Sequence, residues 1–288
     1  MGFELFKDAA LDALLDTVKI LPFLFLAYLL IELLEQRAED KTIALIHRAG
    51  KWGPAIGSAL GVIPQCGFSA ATANLFTDGL ITRGTLIAVF LSTSDEMLPI
   101  LLSRNVPPGL IMKILGYKFF AGMLAGFLID AFDRRFGKAS GKDLHDICEQ
   151  EGCNAENGVL RSALFHTVKI ASFLLLTTFL INIAVALVGE EHFASFILNR
   201  QLIGELLAGI VGLIPNCAAS VIITELYLQG GMSAGAMLSG LLTAAGVGVL
   251  VLFRMNRRNR RENFVTLGLL YASGVLLGLF ASLLPIFS

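Results

Sequence analysis

Apolar side chains in this chain run in long unbroken stretches, not in the alternating or one-faced patterns of a water-soluble core. Stretches at about 17–36, 80–102, 110–132, 166–188, 233–253 and 264–286 each approach the ~20 residues a helix needs to cross a bilayer, and each predicts a full span. Two more, 53–78 and 203–229, are interrupted by Pro64 and Pro215. Their arms, such as Pro54–Pro64 and Cys66–Thr77, hold about a dozen residues and reach roughly 16–18 Å, half of the ~30 Å hydrocarbon core. Each is either one kinked crossing helix or a re-entrant hairpin that returns to the face it entered.

The chain also repeats itself. Thr17-Val18-Lys19-Ile20 recurs as Thr167-Val168-Lys169-Ile170, and Gly61-Val62-Ile63-Pro64-Gln65-Cys66 as Gly212-Leu213-Ile214-Pro215-Asn216-Cys217. Gly79 and Gly84 pair with Gly230 and Gly235, and Gly122 and Gly126 with Gly274 and Gly278. A self-similarity this long, with an offset drifting only from 150 to 152, predicts a duplication. The first repeat occupies 1–135 and the second 160–288, joined by a polar connecting segment at 136–159.

Charge decides between the two readings of the broken segments. With re-entrant hairpins, three basic clusters share one side: Arg37, Lys41, Arg48 and Lys51; Arg134, Arg135, Lys138 and Lys142; Arg254, Arg257, Arg258, Arg260 and Arg261. The other side keeps isolated cations such as Arg104 and Arg200, with Glu190 and Glu191. Short cytoplasmic loops carry the excess of Lys and Arg, so the hairpin reading follows and the connecting segment is cytoplasmic. Three crossings per half is odd, so the halves are expected to be inverted, with both termini outside the cytoplasm. The expected fold is therefore an all-α integral membrane protein of two inverted-topology repeats. Each has three full spans and a re-entrant broken hairpin, giving ten helices when hairpin arms are counted.

Composition agrees. Of 288 residues 55% are hydrophobic and only 16% charged, against about a quarter charged in a soluble domain, and the mean hydropathy is +0.74. A formal net charge of −1 and the absence of a basic patch exclude a nucleic-acid partner. Cys66, Cys148, Cys153 and Cys217 form no disulfide framework, and the N-terminus shows no removable signal peptide. His145, Cys148 and Cys153 in the connecting segment have irregular spacing, and a solvated loop is the favoured reading over a metal site.

Backbone that leaves helical geometry inside a bilayer is tolerated only against protein or a wet cavity. Inverted repeats with discontinuous helices are the recurring plan of secondary transporters, whose substrate sits where the broken elements meet. The tips here offer the amides Gln65 and Asn216 and the thiols Cys66 and Cys217. A second constellation, Ser92-Thr93-Ser94-Asp95-Glu96-Met97-Leu98-Pro99, sets two adjacent carboxylates deep in an apolar stretch. Pro99 frees the Asp95 carbonyl, so the helix is expected to unwind there and let both acids reach one site. The matching stretch, Thr243–Val247, carries no acid, and the second half instead has Glu225 and, more weakly, Glu205 in its hairpin arms. The expected substrate-binding set is Gln65, Cys66, Ser94, Asp95, Glu96, Asn216, Cys217 and Glu225, with Asp95, Glu96, Cys66 and Cys217 as metal ligands. The glycines at helical spacing, Gly53-Gly57-Gly61, Gly122-Gly126 and Gly274-Gly278, read as helix contacts.

At Gly61-Val62-Ile63-Pro64-Gln65-Cys66-Gly67, Gly212-Leu213-Ile214-Pro215-Asn216-Cys217 and Ser94-Asp95-Glu96, the chain resembles the ten-transmembrane heavy-metal exporters, described as manganese transporters or arsenic efflux proteins. The resemblance covers nearly the whole chain and implies export of a metal or metalloid across the plasma (inner) membrane. The denser cysteine motif of organoarsenical permeases is missing. Oxygen donors outnumber thiols among the candidate ligands, which favours a divalent transition metal, Mn²⁺ first. Proton or sodium coupling would suit protonatable carboxylates beside a cation site, and a homodimer stays open. No enzyme activity and no cofactor are expected. Two rival readings remain: a transporter of an organic anion or drug, whose acids bind the coupling ion, and a membrane-embedded lipid-phosphate hydrolase. The latter needs an arginine clamp beside its carboxylates, and neither tip nor the Asp95 stretch contains Arg or Lys.

Overall fold

A computed structural model of the chain describes residues 50–63, 66–94, 97–135, 159–188, 203–257 and 259–284, with scattered helical positions between 7 and 29. Among the described residues the fold is all-helical, without strands. In chain order the helices are α1 (Gly53–Gly61), α2 (Cys66–Thr77), α3 (Arg83–Ser92), α4 (Met97–Ser103), α5 (Pro108–Arg135) and α6 (Val159–Val188). They continue as α7 (Ile203–Gly212), α8 (Cys217–Leu228), α9 (Ala234–Thr243), α10 (Gly248–Met255) and α11 (Arg260–Ser282).

Five stretches among the described residues are long and apolar enough to cross a membrane: Arg83–Ser103, Pro108–Arg135, Ala163–Leu180, Ala234–Met255 and Arg260–Ser282. They fall on five of the six expected spans. The sixth, 17–36, and the connecting segment 136–159 lie mostly outside the described residues. α5, α6 and α11 each expose a row of large apolar side chains, including Phe120, Leu124 and Leu128 on α5 and Leu276 and Phe280 on α11. Rows of this size at helical spacing have no place in water and suit contact with lipid. α3 and α9, by contrast, are buried along almost their whole length, from Gly84 to Ser92 and from Gly235 to Thr243.

The local signals recur in both halves. α2 ends with Gly79 at φ 73°, its N–H donating to the Phe76 carbonyl and that of Leu80 to the Leu75 carbonyl; α8 ends with Gly230 at φ 75° and the same pair of bonds to Tyr227 and Leu226. A left-handed residue here satisfies the last helical carbonyls, and glycine takes that conformation without steric penalty. The next helices start on hydroxyl caps: Thr82 accepts from the Thr85 N–H and Ser233 from the Ala236 N–H, both at 3.1 Å.

Glycine contacts fix the register. A Cβ built on Gly53 meets Thr85, one on Gly57 meets Val89 and Thr85, and one on Gly61 meets Ser92 and Val89. α1 therefore runs beside α3 in the same direction, and the chain must double back through α2 to begin α3 again. In the second half Gly209 lies against Ser239 and Gly212 against Gly240 and Thr243, so α7 runs beside α9 in the same way. α5 descends antiparallel to α3, with Gly122 on Ala88 and Gly126 on Gly84; α11 pairs likewise with α9 through Gly274 on Thr243 and Gly278 on Ser239. Small residues at every crossing let the backbones approach closely where no hydrophobic force between helices is available.

Two core clusters knit the halves together. In one, Ala70 and Ala73 of α2 join Val249, Val251 and Leu252 of α10. In the other, Met97 and Leu101 of α4 join Ala219 and Ile223 of α8. The outgoing arm after each tip thus packs on the second part of the other half's interrupted span.

Candidate functional site

Both interrupted spans break at matching positions. α3 stops at Ser92 and α4 starts at Met97, as the sequence leads one to expect around Asp95. α9 stops at Thr243 and α10 starts at Gly248, a break the sequence does not announce because that stretch holds neither acid nor proline. Its cause is local: Gly246 takes φ 54°, and the Ala245 N–H turns back to the Thr243 carbonyl at 2.9 Å instead of reaching four residues back to Leu241. A helix cannot continue through a left-handed residue.

α1 and α7 end beside these breaks. Gly61 touches Ser92 and Gly212 touches Thr243, so the end of each of these helices lies level with the last turn of its neighbour. Thr243 Oγ1 donates to the Gly209 carbonyl at 2.9 Å and Ser239 Oγ to the Glu205 carbonyl at 2.7 Å, tying α9 to α7. In the first half Ser92 Oγ bonds within its own helix, to the Ala88 and Val89 carbonyls. The second tip is braced from a third element, since buried Asn216 donates its side-chain amide to Asn182 Oδ1 of α6 at 2.7 Å.

Among the expected site residues, Ser94 is 1% exposed, at the first break, with its hydroxyl turned to the Ser92 carbonyl at 3.3 Å. Asn216 stands at the second tip. Gln65, Asp95 and Glu96 lie outside the described residues, as do the side chains of Cys66 and Cys217, whose backbones open α2 and α8. Met97 of α4 and Ala219 of α8 belong to the same core cluster. Glu225 sits away from the breaks, in a bidentate ion pair at 2.9 Å with the exposed Arg104 that follows α4. Among the described residues no three His, Cys, Asp or Glu side chains gather as a metal site.

Two buried carboxylates lie beside helix starts. Asp130 of α5 accepts from the Gly84 N–H at 2.9 Å and from the Thr82 hydroxyl at 2.7 Å, holding the first turn of α3. In the second half Ser282 takes the place of Asp130, and the carboxylate beside the helix start is that of Glu205 of α7: a Cβ on Gly235 would lie 3.0 Å from Glu205 Oε1. Glu205, a weaker candidate site acid by sequence, thus belongs to the start of α9, where negative charge meets the positive end of a helix.

Sequence reasoning missed Lys118. This lysine of α5 is 1% exposed, and its ammonium donates to the Thr93 carbonyl at the first break and, at 2.8 Å, to the Leu241 carbonyl in the last turn of α9. The premise that no Lys or Arg stands near the Asp95 stretch therefore holds along the sequence but not in space. The available signal was a charged side chain inside the apolar run 110–132, which also holds Lys113 and Asp130, at a position matched in the second half by Leu270.

Helices of this length and apolarity, broken in pairs at a common level and clad in exposed apolar side chains, define a multi-pass membrane protein. The chain belongs to the family described as "Putative, 10TM heavy-metal exporter", which matches residues 3–186. It is on that basis a membrane transporter for a heavy metal. No curated protein and no solved structure matches it.

Proposed function

We propose that the protein exports a divalent transition metal, Mn²⁺ first, by alternating access at a midplane site between the two hairpin tips. The observation that carries this reading is the meeting of tip and break in each half, where Gly61 abuts Ser92 and Gly212 abuts Thr243, in a chain of the metal-exporter family. Interrupted helices leave carbonyls and amides free at the depth where a permeating ion must exchange its water for protein donors. Asp95 and Glu96 would supply the charge, with Ser94, Gln65 and Asn216 as oxygen donors and Cys66 and Cys217 as softer ones. A carboxylate at such a site also offers a place for proton or sodium coupling. Glu225 would act at an entrance to the site, since its partner Arg104 is exposed.

The two repeats are inverted in this reading, with re-entrant hairpins, the plasma membrane as location and both termini outside the cytoplasm. Two ion pairs between the halves support it. Arg83, at the start of α3, bonds Asp133 at the end of α5 and Glu262 at the start of α11, at 2.9 and 3.1 Å. Arg104, at the end of α4, bonds Glu225 near the end of α8. Kinked crossing segments would leave the members of the Arg83–Glu262 and Arg104–Glu225 pairs on opposite faces of the membrane, whereas hairpins bring both pairs together.

A second reading, transport of an organic anion, gains from Lys118, a cation buried among the breaks. Flux into proteoliposomes separates the two. Saturable Mn²⁺ flux that disappears in Asp95→Ala/Glu96→Ala is expected. Movement of an organic anion without Mn²⁺ or Cd²⁺ flux would end the metal assignment and leave only the architecture.

A further inference from the structure

The Lys118 ammonium stands between the C-terminal ends of two helices. Thr93 is the C-cap of α3, and Leu241 lies in the last turn of α9. The Leu241 carbonyl has lost its usual intrahelical donor, because the Ala245 N–H is spent on Thr243. Each helix C-terminus carries about half an elementary negative charge, so two of them facing one point present roughly one, which a single ammonium balances. Discontinuous helices in transporters use such C-terminal ends and freed carbonyls to hold a monovalent cation. Here the cation is covalently attached to α5. Its cost is high, since a lysine at this depth is expensive unless its charge is matched, and the second half places Leu270 at the corresponding position, also 1% exposed. The asymmetry means that neither the packing of the repeat nor its shared fold calls for a lysine.

We propose that Lys118 is the resident cation of a site formed by the C-terminal ends of α3 and α9, taking the place a free monovalent cation would occupy and joining the two halves through one side chain. Removing the side chain should therefore open a cation site, not merely a cavity. This does not depend on which substrate the protein carries.

The test is thermal unfolding of the purified full-length protein in detergent, in sodium, lithium, potassium or ammonium chloride, with choline chloride holding ionic strength constant. Wild type should unfold at the same temperature in all of them. Lys118→Ala should fall by roughly 10 °C in choline, the scale set by stripping one partner from a buried charged contact. It should then recover as the concentration of one or more small cations rises, as expected for a ligand that binds only the folded state. Lys118→Met, which fills the volume without charge, should fall and not recover. Lys118→Gln keeps a donor for one carbonyl and serves as the folded reporter if the alanine variant cannot be purified. An alanine or glutamine variant as stable as wild type in choline would overturn the proposal, and so would a loss that no cation repairs. Failure to obtain either variant folded in any of these salts would overturn it too, because a cation in solution should replace the tethered one.

Discussion

Gly126→Ala on α5 tests the close helix crossings on which the tip-and-break arrangement rests. The added Cβ would fall 2.6 Å from the Gly84 carbonyl oxygen, 2.8 Å from Pro54 Cβ and 2.9 Å from Ala88 Cβ. Two of the three contacts are to other helices' small side chains and one is to backbone, so α1 and α3 have to move away together. Its counterpart Gly278→Ala would meet Ser239 at 2.5 to 2.7 Å from Cβ, Cα and N. Gly116 and Gly268, at matching places on the same two helices, have nothing within 4 Å. All four substitutions gain the same helix preference, about 1 kcal/mol for alanine over glycine, so that contribution cancels between the pairs. What remains is the overpacking cost, about 1–3 kcal/mol. At roughly 2–4 °C per kcal/mol, Gly126→Ala and Gly278→Ala should unfold some 3–10 °C below Gly116→Ala and Gly268→Ala. Apparent Tm at one fixed scan rate in one detergent measures this, since membrane proteins often unfold irreversibly. If Gly126→Ala unfolds within about a degree of Gly116→Ala, α3 and α5 are not in contact at Gly126 and the register set by the glycine contacts is wrong.

Two further outcomes follow from the ion pairs. Arg83→Gln leaves Asp133 and Glu262 without the guanidinium in a setting where the arginine side chain is only 9% exposed, and should cost about 3–5 kcal/mol. Arg104→Gln breaks a pair whose arginine is 59% exposed and should cost at most about 1 kcal/mol; equal losses of Tm would contradict this difference in burial. Single cysteines at Asp78 and Arg261, in a background without native cysteines, should react with an impermeant maleimide from one face of the membrane, and those at Ser103 and Gln229 from the other. Labelling of Asp78 and Arg261 from opposite faces would replace the hairpins by crossing segments.

The network around Arg83 holds the halves together at one end. Arg83 spans α5 and α11, and Glu262 also accepts from Asn256 and Asn259 at 3.0 Å, while Asn263 and Asn256 bond each other. A polar cluster linked in this way stiffens a membrane-edge contact, whereas the exposed Arg104–Glu225 pair at the other end is a weaker tie. An unequal pair of ties suits the alternating access proposed above.

What the sequence determined by itself was whatever lipid forces each segment to settle alone. A span has no water to bond its backbone, so it must be helical and apolar over about 20 residues, and that requirement is written locally. For the same reason the interruptions at Pro64 and Pro215 and the unwinding beside Asp95 could be read in order along the chain. The near-repetition at offsets of 150 to 152 carried each reading from one half to the other. Tertiary structure decided what depends on which helix faces which. The ion pair of Glu225 with Arg104, 121 residues away, is visible only once the helices have met. Glu205 and Asp130 come from different helices yet meet matching helix starts, an equivalence that no alignment of the repeats displays. The break after Thr243 has no proline to announce it, only a glycine whose φ the surrounding packing selects. Lys118 is one of three charges in an apolar run until folding sets two helix ends against it. Local solvation is a property of a segment and survives in the sequence, but complementarity between segments exists only once they have met.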